Sequence, residues 1–466
     1  MRGGARESGG SCMRMSRREL VRAIGVGAVG AGALSACGSG GVRRGRRRPT
    51  TTNPSAKPAA EPDAQLKIGS IGASYGIAGR FERQISIGVS EAAIDANARW
   101  KGVFGQKIAV AERHVVEKAG EDLGAVIGQL AEDGVTAVIS SLDDDALIAA
   151  MPAFVKAGIA VVDVFTSSMA VRAKDVQSSG LLTRLCPNDV ALAAGHADAA
   201  WGGASERAGK PGTVFCVSES TTQGKSLVHE VQQVLGPAGG RVVGQHMYPI
   251  GSFGDRAAVV KKVLQTKPAL VLFNGPGEDA GPFLSDLHRG TLDKDGRPTF
   301  DVTVRVATPA VVDYVDAQLA PECMAKATGT EPGGELTSDH VNMMLNVDPN
   351  LLRDGYAYSQ QAYDAVMMIA LAAYDALSVE GTEIAASMPR ILTGSSACTD
   401  FGACRTLMRD GLTDGKRETI TYQGRMGQLV LDPQKDPSKG QLRGYKWDKS
   451  NALQASGNAQ GFEVPG

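Results

Sequence analysis

The sequence predicts an α/β protein built as two doubly wound parallel-sheet lobes, and three observations carry that reading. Short β-branched runs alternate with stretches of helical periodicity along most of the chain, the pattern of a parallel sheet flanked by helices. The alternation pauses at Cys186-Pro187-Asn188 and then restarts. From Leu66 onward about 400 residues remain, enough for two domains with substantial cores.

The first strand is expected at 66–71. Residues 81–100 then repeat Ile85, Val89, Ala92 and Ala96 at helical spacing. A second strand follows at 106–111, and the next helix places Leu123, Val126, Ile127 and Leu130 on one face. A third strand at 135–140, a helix at 146–157 and a fourth strand at 159–165 complete the first set. The second set reads as helix 189–201, strand 213–217, helix 224–235, strand 241–247 and helix 256–265. Strand 269–273, helix 282–289 and strand 302–307 close it, and a long apolar helix is expected at 356–377. Right-handed crossovers put helices on both faces of each sheet. Such sheets take ligands beyond the carboxyl ends of their strands, where helix N-termini present free N–H groups. The first strand-to-helix turn, 69–76, is Gly-rich without G-x-G-x-x-G spacing, and no G-x-x-x-x-G-K-[ST] occurs. Nucleotide binding is unsupported.

Ahead of the folded part lies an address. Ser16-Arg17-Arg18-Glu19-Leu20-Val21-Arg22 resembles a twin-arginine export signal, and the apolar stretch 21–36 is too short to span a bilayer. It ends in Leu34-Ser35-Ala36-Cys37, which resembles a bacterial lipobox and would make Cys37 the lipidated first residue of the mature protein. Residues 1–36 then form the signal peptide, with Met13 or Met15 as alternative starts. Residues 37–65 form a flexible linker, too polar and too rich in Gly, Ser, Thr, Pro and Arg to bury a core. Its arginines, 43–44 and 46–48, either lie against anionic lipid or stay solvated.

Composition narrows the function. The net charge is −1 and aromatics make up 5% of the chain, and no basic patch with interleaved aromatics occurs outside the linker. A nucleic-acid partner is not expected. Of seven cysteines, Cys12 and Cys37 lie ahead of the folded part. Cys398 and Cys404 flank a short loop and are expected to bridge in an oxidising compartment, while the pairing of Cys186, Cys216 and Cys323 stays open. No Cys-x-x-Cys occurs and the six histidines are dispersed, so neither a metal nor a cofactor is expected. A secreted hydrolase would need a nucleophile with a positioned base, and none of the histidines has motif context for that role. The chain does not read as an enzyme.

A family resemblance sharpens this reading. It starts with Ala92-Ala93-Ile94-Asp95-Ala96-Asn97 and Gly105-Gln106-Lys107-Ile108, then Leu130-Ala131-Glu132-Asp133-Gly134-Val135-Thr136-Ala137-Val138-Ile139. It goes on through Ala157-Gly158-Ile159-Ala160-Val161-Val162, Arg184-Leu185-Cys186-Pro187-Asn188-Asp189 and Ala362-Tyr363-Asp364-Ala365-Val366. It closes with Gly424-Arg425-Met426-Gly427-Gln428-Leu429-Val430-Leu431-Asp432. In order and spacing these segments resemble the type I periplasmic binding proteins of ABC transporters, specifically the branched-chain amino-acid (Leu/Ile/Val) receptors. The resemblance implies two lobes joined by a three-segment hinge that closes over a ligand. Lobe 1 would comprise 66–186 and 329–418, and lobe 2 would comprise 187–328 and 419–466.

The resemblance also implies where the ligand sits. The family's Ser-rich loop reads Ser140-Ser141-Leu142-Asp143-Asp144-Asp145 here, and Asp144 falls at the family's ligand-binding serine. A carboxylate there would repel a ligand carboxylate and favour a cationic or donor group. Alternatively Asp143–Asp145 cap a helix and complement its dipole, which leaves Ser141 as the hydroxyl ligand. In the loop Phe165-Thr166-Ser167-Ser168, Ser167 takes the ligand-binding hydroxyl position and Thr166 offers backbone groups, unless the segment is a plain turn. Tyr75 and Tyr363 would supply aromatic walls, Tyr363 being equally suited to a helix core. On lobe 2, Gln223 stands where the family commonly has Tyr, and Glu278 or Asp279 would replace a carboxylate missing from Thr308-Pro309-Ala310.

The resulting expectation is an exported, lipid-anchored solute receptor that passes an amino acid, or a related amide or amine, to ABC permease subunits. The alternatives are a ligand sensor of the same fold with a membrane signalling partner, or a degenerate receptor.

Overall fold

The computed structural model describes residues 60–202, 205–413 and 418–464. The expected signal peptide, Cys37 and all but the end of the linker lie outside the described residues. Residues 60–65 are tied to the first lobe, with Gln106 Nε2 donating to Asp63 Oδ1 at 2.9 Å and Gln65 Nε2 to the Lys107 carbonyl at 2.9 Å.

The first lobe opens with β1 (Lys67–Ala73), α1 (Gly76–Trp100), β2 (Ala109–Val110), β3 (His114–Val116) and α2 (Gly124–Glu132). It continues with β4 (Ala137–Ser141), α3 (Asp144–Ala157), β5 (Ala160–Asp163) and β6 (Leu182–Arg184). These strands form one parallel sheet ordered β2-β1-β4-β5-β6, with β3 extending the β2 edge along the far half of β1. The single strand expected at 106–111 is therefore two short ones in different places. Between them Arg113 turns its guanidinium to Glu82 at 2.5 and 2.7 Å, which interrupts the edge.

The second lobe runs α4 (Asp189–Ala197), β7 (Lys210–Glu219), α5 (Thr222–Leu235), β8 (Arg241–Tyr248) and α6 (Arg256–Thr266). After it come β9 (Pro268–Asn274), α7 (Gly277–Gly290), β10 (Thr303–Val306) and β11 (Ala327–Pro332). The parallel order is β8-β7-β9-β10-β11. The chain then adds α8 (Ser338–Val347), α9 (Leu351–Asp354), α10 (Ser359–Ala376), α11 (Gly381–Ser387), β12 (Ser396–Cys398) and α12 (Phe401–Thr413) on the first lobe. Last come β13 (Ile420–Tyr422), β14 (Val430–Leu431), β15 (Pro437–Trp447), β16 (Leu453–Ala455) and β17 (Gln460–Glu463). β15 pairs antiparallel with β11, and β14, β16 and β17 pair with β15, so the edge of the second sheet is antiparallel.

Three crossings join the lobes, and two fall later than expected. The first separates β6 from α4. The second follows Pro332 and not residue 329, because β11 is hydrogen-bonded to both β10 and β15 of the second sheet. The third lies after Leu429 and not at 419: Ile420–Tyr422 pairs with Ser396–Cys398, and Ile420, Tyr422, Met426 and Leu429 belong to the first lobe's core, whereas Val430–Leu431 already pairs with β15.

Packing explains the helices. The predicted stripe of α1, Ile85, Val89, Ala92 and Ala96, is buried, and it faces α10, whose apolar residues are buried all round. The two helices approach so closely that a Cβ on Gly88 would lie 2.6 Å from the Ser359 carbonyl oxygen and 3.0 Å from Ala362 Cβ. Inner strands β4 and β9 are buried along their whole length, as parallel strands covered on both faces must be. Helix α7 begins at Gly277, five residues before the Pro282 expected to open it. Glu278 and Asp279 in its first turn complement the helix dipole, and an internal proline forfeits a single N–H bond. Cys398 and Cys404 are disulfide-bonded, while Cys186, Cys216 and Cys323 are buried free thiols.

Candidate binding site

Each sheet reverses its strand order once, between β1 and β4 in the first lobe and between β7 and β9 in the second. Loops at such reversals splay apart and leave a crevice. A cavity of about 670 Å³ lies there, lined by loops from both lobes. Tyr75 follows β1, Asp143 and Asp144 follow β4, and Phe165 and Ser167 follow β5. From the other lobe come Glu219 at the end of β7 with Ser220 to Gln223 after it, Asn274 at the end of β9 with Gly275, and Ala307 to Pro309 after β10.

Asp143 is the N-cap of α3 and accepts from the Ala146 N–H at 2.8 Å. Asp144 therefore begins the helix turned inward; it is 5% exposed and accepts from the Ser168 N–H at 3.0 Å. Burial, reinforced by the nearby Asp189 carboxylate, pushes its carboxyl up to about 8. Below the cavity floor Asp163 is pushed up to about 7 by burial, and Asp189 to about 6 by burial. Arg184 is fully buried among these carboxylates but is held by Asp436, with its Nε 2.8 Å from Oδ1. Arg172 Nε donates to the same Asp436 oxygen at 2.9 Å. Asp436 thus shares one negative charge between two guanidiniums, and Arg184 still acts on Asp144, Asp163 and Asp189.

Aromatic rings form one wall. Phe165 and Tyr358 lie with centroids 5.0 Å apart, and Phe81 backs Tyr358 at 4.8 Å. On the opposite wall Gln223 Nε2 donates to Asp189 Oδ1 at 3.2 Å while its Oε1 accepts from Asn274 Nδ2 at 2.9 Å. His196 also lines the cavity; burial, helped by Arg305, lowers it to about 4 and keeps its ring neutral near pH 7. Six carboxylate residues, Glu121, Asp122, Asp143, Asp144, Asp145 and Glu219, face the cavity, and neither lysine nor arginine is among its described lining residues.

Of the residues singled out from sequence, Tyr75, Asp143, Asp144, Phe165, Ser167 and Gln223 meet at this cavity. Four do not. Ser141 Oγ is taken up by Arg113 at 2.6 Å. Thr166 turns its hydroxyl and N–H back onto Asp163. Glu278 pairs at the surface with Arg80. Tyr363 donates to Asp95 Oδ2 at 2.8 Å beneath the Arg425 guanidinium, which lies 3.6 Å from its ring centre. Sequence reasoning missed Tyr358, His196 and Glu219. Tyr358 adopts φ 64° just before α10, a strained position that no local pattern announces. Glu219 ends a strand at the carboxyl edge, and that placement was the available signal. Residues 72–76, Gly-Ala-Ser-Tyr-Gly, have the spacing of a nucleophile elbow at a strand-to-helix turn. Ser74 Oγ, however, donates to the Val116 carbonyl at 3.3 Å and not to a histidine.

Residues 65–393 match the sequence profile of the family described as "Periplasmic binding protein". The chain belongs to the periplasmic binding protein family. This family and fold are those of non-enzymatic, extracytoplasmic substrate-binding proteins. No curated protein sequence matches the chain. Among solved structures, the leucine binding protein LivK from Thermotoga maritima is similar at 14% identity and TM-score 0.61, covering 86% of this chain and 99% of that one. The branched-chain amino-acid transporter substrate binding protein LivJ from Streptococcus pneumoniae, in complex with isoleucine, gives 14% identity and TM-score 0.60, with 86% and 100% covered. A solute binding protein from R. palustris in complex with 4-hydroxybenzoate gives 13% and 0.60, with 86% and 98% covered. At these identities the likeness establishes a shared two-lobe fold for this periplasmic binding protein.

Proposed function

We propose that this protein is an exported, lipid-anchored receptor that captures a small solute carrying a cationic group and delivers it to an ABC permease. The observation that carries the reading is that every charged side chain lining the cleft is a carboxylate, apart from the neutral His196. Isoleucine and 4-hydroxybenzoate, bound by the structural relatives, both bear a carboxylate. Beside an ionised carboxylate about 4 Å away, a ligand carboxylate would cost about 4 kcal/mol at an effective dielectric near 20. A helix N-terminus returns about 0.3–1 kcal/mol. Repulsion therefore disfavours an anionic ligand wherever Asp144 is ionised, and an arriving cation favours that ionised form. Asp144 gives up its proton as a ligand cation arrives, so affinity rises with pH up to about 8.

A thermal-shift panel of amines, amides, amino acids and benzoates against the full-length protein tests this, because a bound ligand raises apparent stability by mass action. Amines should stabilise the protein, more strongly at pH 8 than at pH 6.5. Stabilisation by carboxylates alone, stronger at the lower pH, would mean that a protonated Asp144 donates to an anion, and would refute the reading. For the anchor, Cys37→Ser should move the protein from the membrane fraction to the soluble fraction; retention on membranes would remove lipidation at Cys37.

A further inference from the structure

The two lobes hold their cavity-facing carboxylates in different ways. On the first lobe Asp143 caps α3, and Asp145 Oδ1 accepts from Thr222 Oγ1 across the cleft at 2.6 Å. Both are provided for within the protein. Asp144 has the single N–H of Ser168. On the second lobe Glu219, the last residue of β7, is 3% exposed and lines the cavity, yet its Oε2 has no hydrogen-bond partner. Burial raises the Glu219 carboxyl, the Gly251 backbone N–H and Arg80 opposing that shift and Asp279 adding to it, and the Arg80 guanidinium is itself paired with Glu278. An unsatisfied buried acceptor is destabilising, more so when charged. A carboxylate kept in that state on a cavity wall is matched to something that enters the cavity.

The remaining lining is largely apolar, including Ile77, Phe165, Leu192, Leu227 and Ile250. Among the described residues no three potential metal ligands gather closely enough to hold one ion. The negative charge is therefore spread over two walls with hydrocarbon around it, which suits an organic cation and not a metal.

We propose that the ligand is a compact organic dication, a short α,ω-diamine in chemical class. Asp144 on the first lobe takes one ammonium group, and Glu219 on the second takes the other. The apolar chain lies against Phe165 and Leu192. This rests on the cation-receptor reading above and adds the second charge and the residue that selects it. A ligand held in this way bridges the lobes, so it favours the closed form more than a monoamine can.

The test compares 1,4-diaminobutane and 1,5-diaminopentane with 1-aminobutane by calorimetry on the full-length protein in detergent. One charge-assisted hydrogen bond corresponds to roughly tenfold to hundredfold in affinity, so the diamines should bind tighter than the monoamine by about that factor. Glu219→Gln should bring diamine affinity down toward the monoamine level. The comparison in the unsubstituted protein needs no variant and stands if Glu219→Gln does not fold. Equal binding of monoamine and diamine would overturn the Glu219 assignment while leaving a receptor for cations. If no amine binds, or if carboxylates alone bind, both readings fall.

Discussion

Asp144 concentrates the unusual chemistry of this protein. A helix-opening aspartate is ordinarily an exposed complement to the dipole; here Asp143 takes the capping position and Asp144 is turned under the Ser168 loop. The groups that face it are Asp163 from β5, Arg184 from β6, Asp189 from α4 and Tyr358 beside α10. Because its folded-state carboxyl is raised to about 8 from 3.8, its contribution to stability is complete below about pH 4 and is lost as pH rises toward 8. Asp163, raised to about 7, acts in the same sense. His196 and His340, lowered to about 4 and about 3, act oppositely but are silent above about 6.5, and Lys435, lowered to about 8, matters above that window. The ligand-free protein should therefore lose melting temperature between pH 6.5 and 7.5. Asp144→Asn, which keeps the acceptor for Ser168, should flatten that fall. An equal slope in the variant would show that Asp144 does not carry the proton.

At the scale of elements, the contact between α1 and α10 governs the first lobe. The two helices meet over Gly88, where even a Cβ would press on the Ser359 carbonyl. Gly88→Val should destabilise the protein by about 1–3 kcal/mol through forced separation of the helices. Chemical denaturation measures this directly, and an unchanged midpoint would mean that the pair tolerates separation. The same contact explains Tyr363. Its position in the chain suited either a ligand wall or a helix core, and the partner helix decided: Asp95 of α1 takes its hydroxyl.

At the scale of the molecule, the lobes are fastened across the cleft. Met169 donates its N–H to Ser226 Oγ at 3.1 Å, Thr222 bonds Asp145, and Arg80 of α1 pairs with Glu278 of α7. The Arg80–Glu278 pair is exposed, with side chains 38% and 58% accessible, so screening holds its worth to about 0–1 kcal/mol. Arg80→Ala should speed ligand release by no more than about fivefold, read by stopped-flow. An effect of a hundredfold would make this pair the main clasp.

The sequence by itself determined the α/β class, the two sets of strands and most of the helices, because apolar spacing reports which face an element buries without reference to partners. The family resemblance pointed to Asp144, Phe165, Ser167 and Gln223, and these line the cavity because loops at the carboxyl ends of parallel strands converge there whatever their composition. Tertiary structure decided the rest. Ser141 lost its candidacy to Arg113, a residue 28 positions away, and Glu278 lost its own to Arg80 on the opposite lobe. Glu219 gained one because its Oε2 finds no hydrogen-bond partner among the described residues, and Arg80 is paired with Glu278. A side chain's free valence depends on which distant groups the fold brings to it, and that sum exists only once the lobes are assembled.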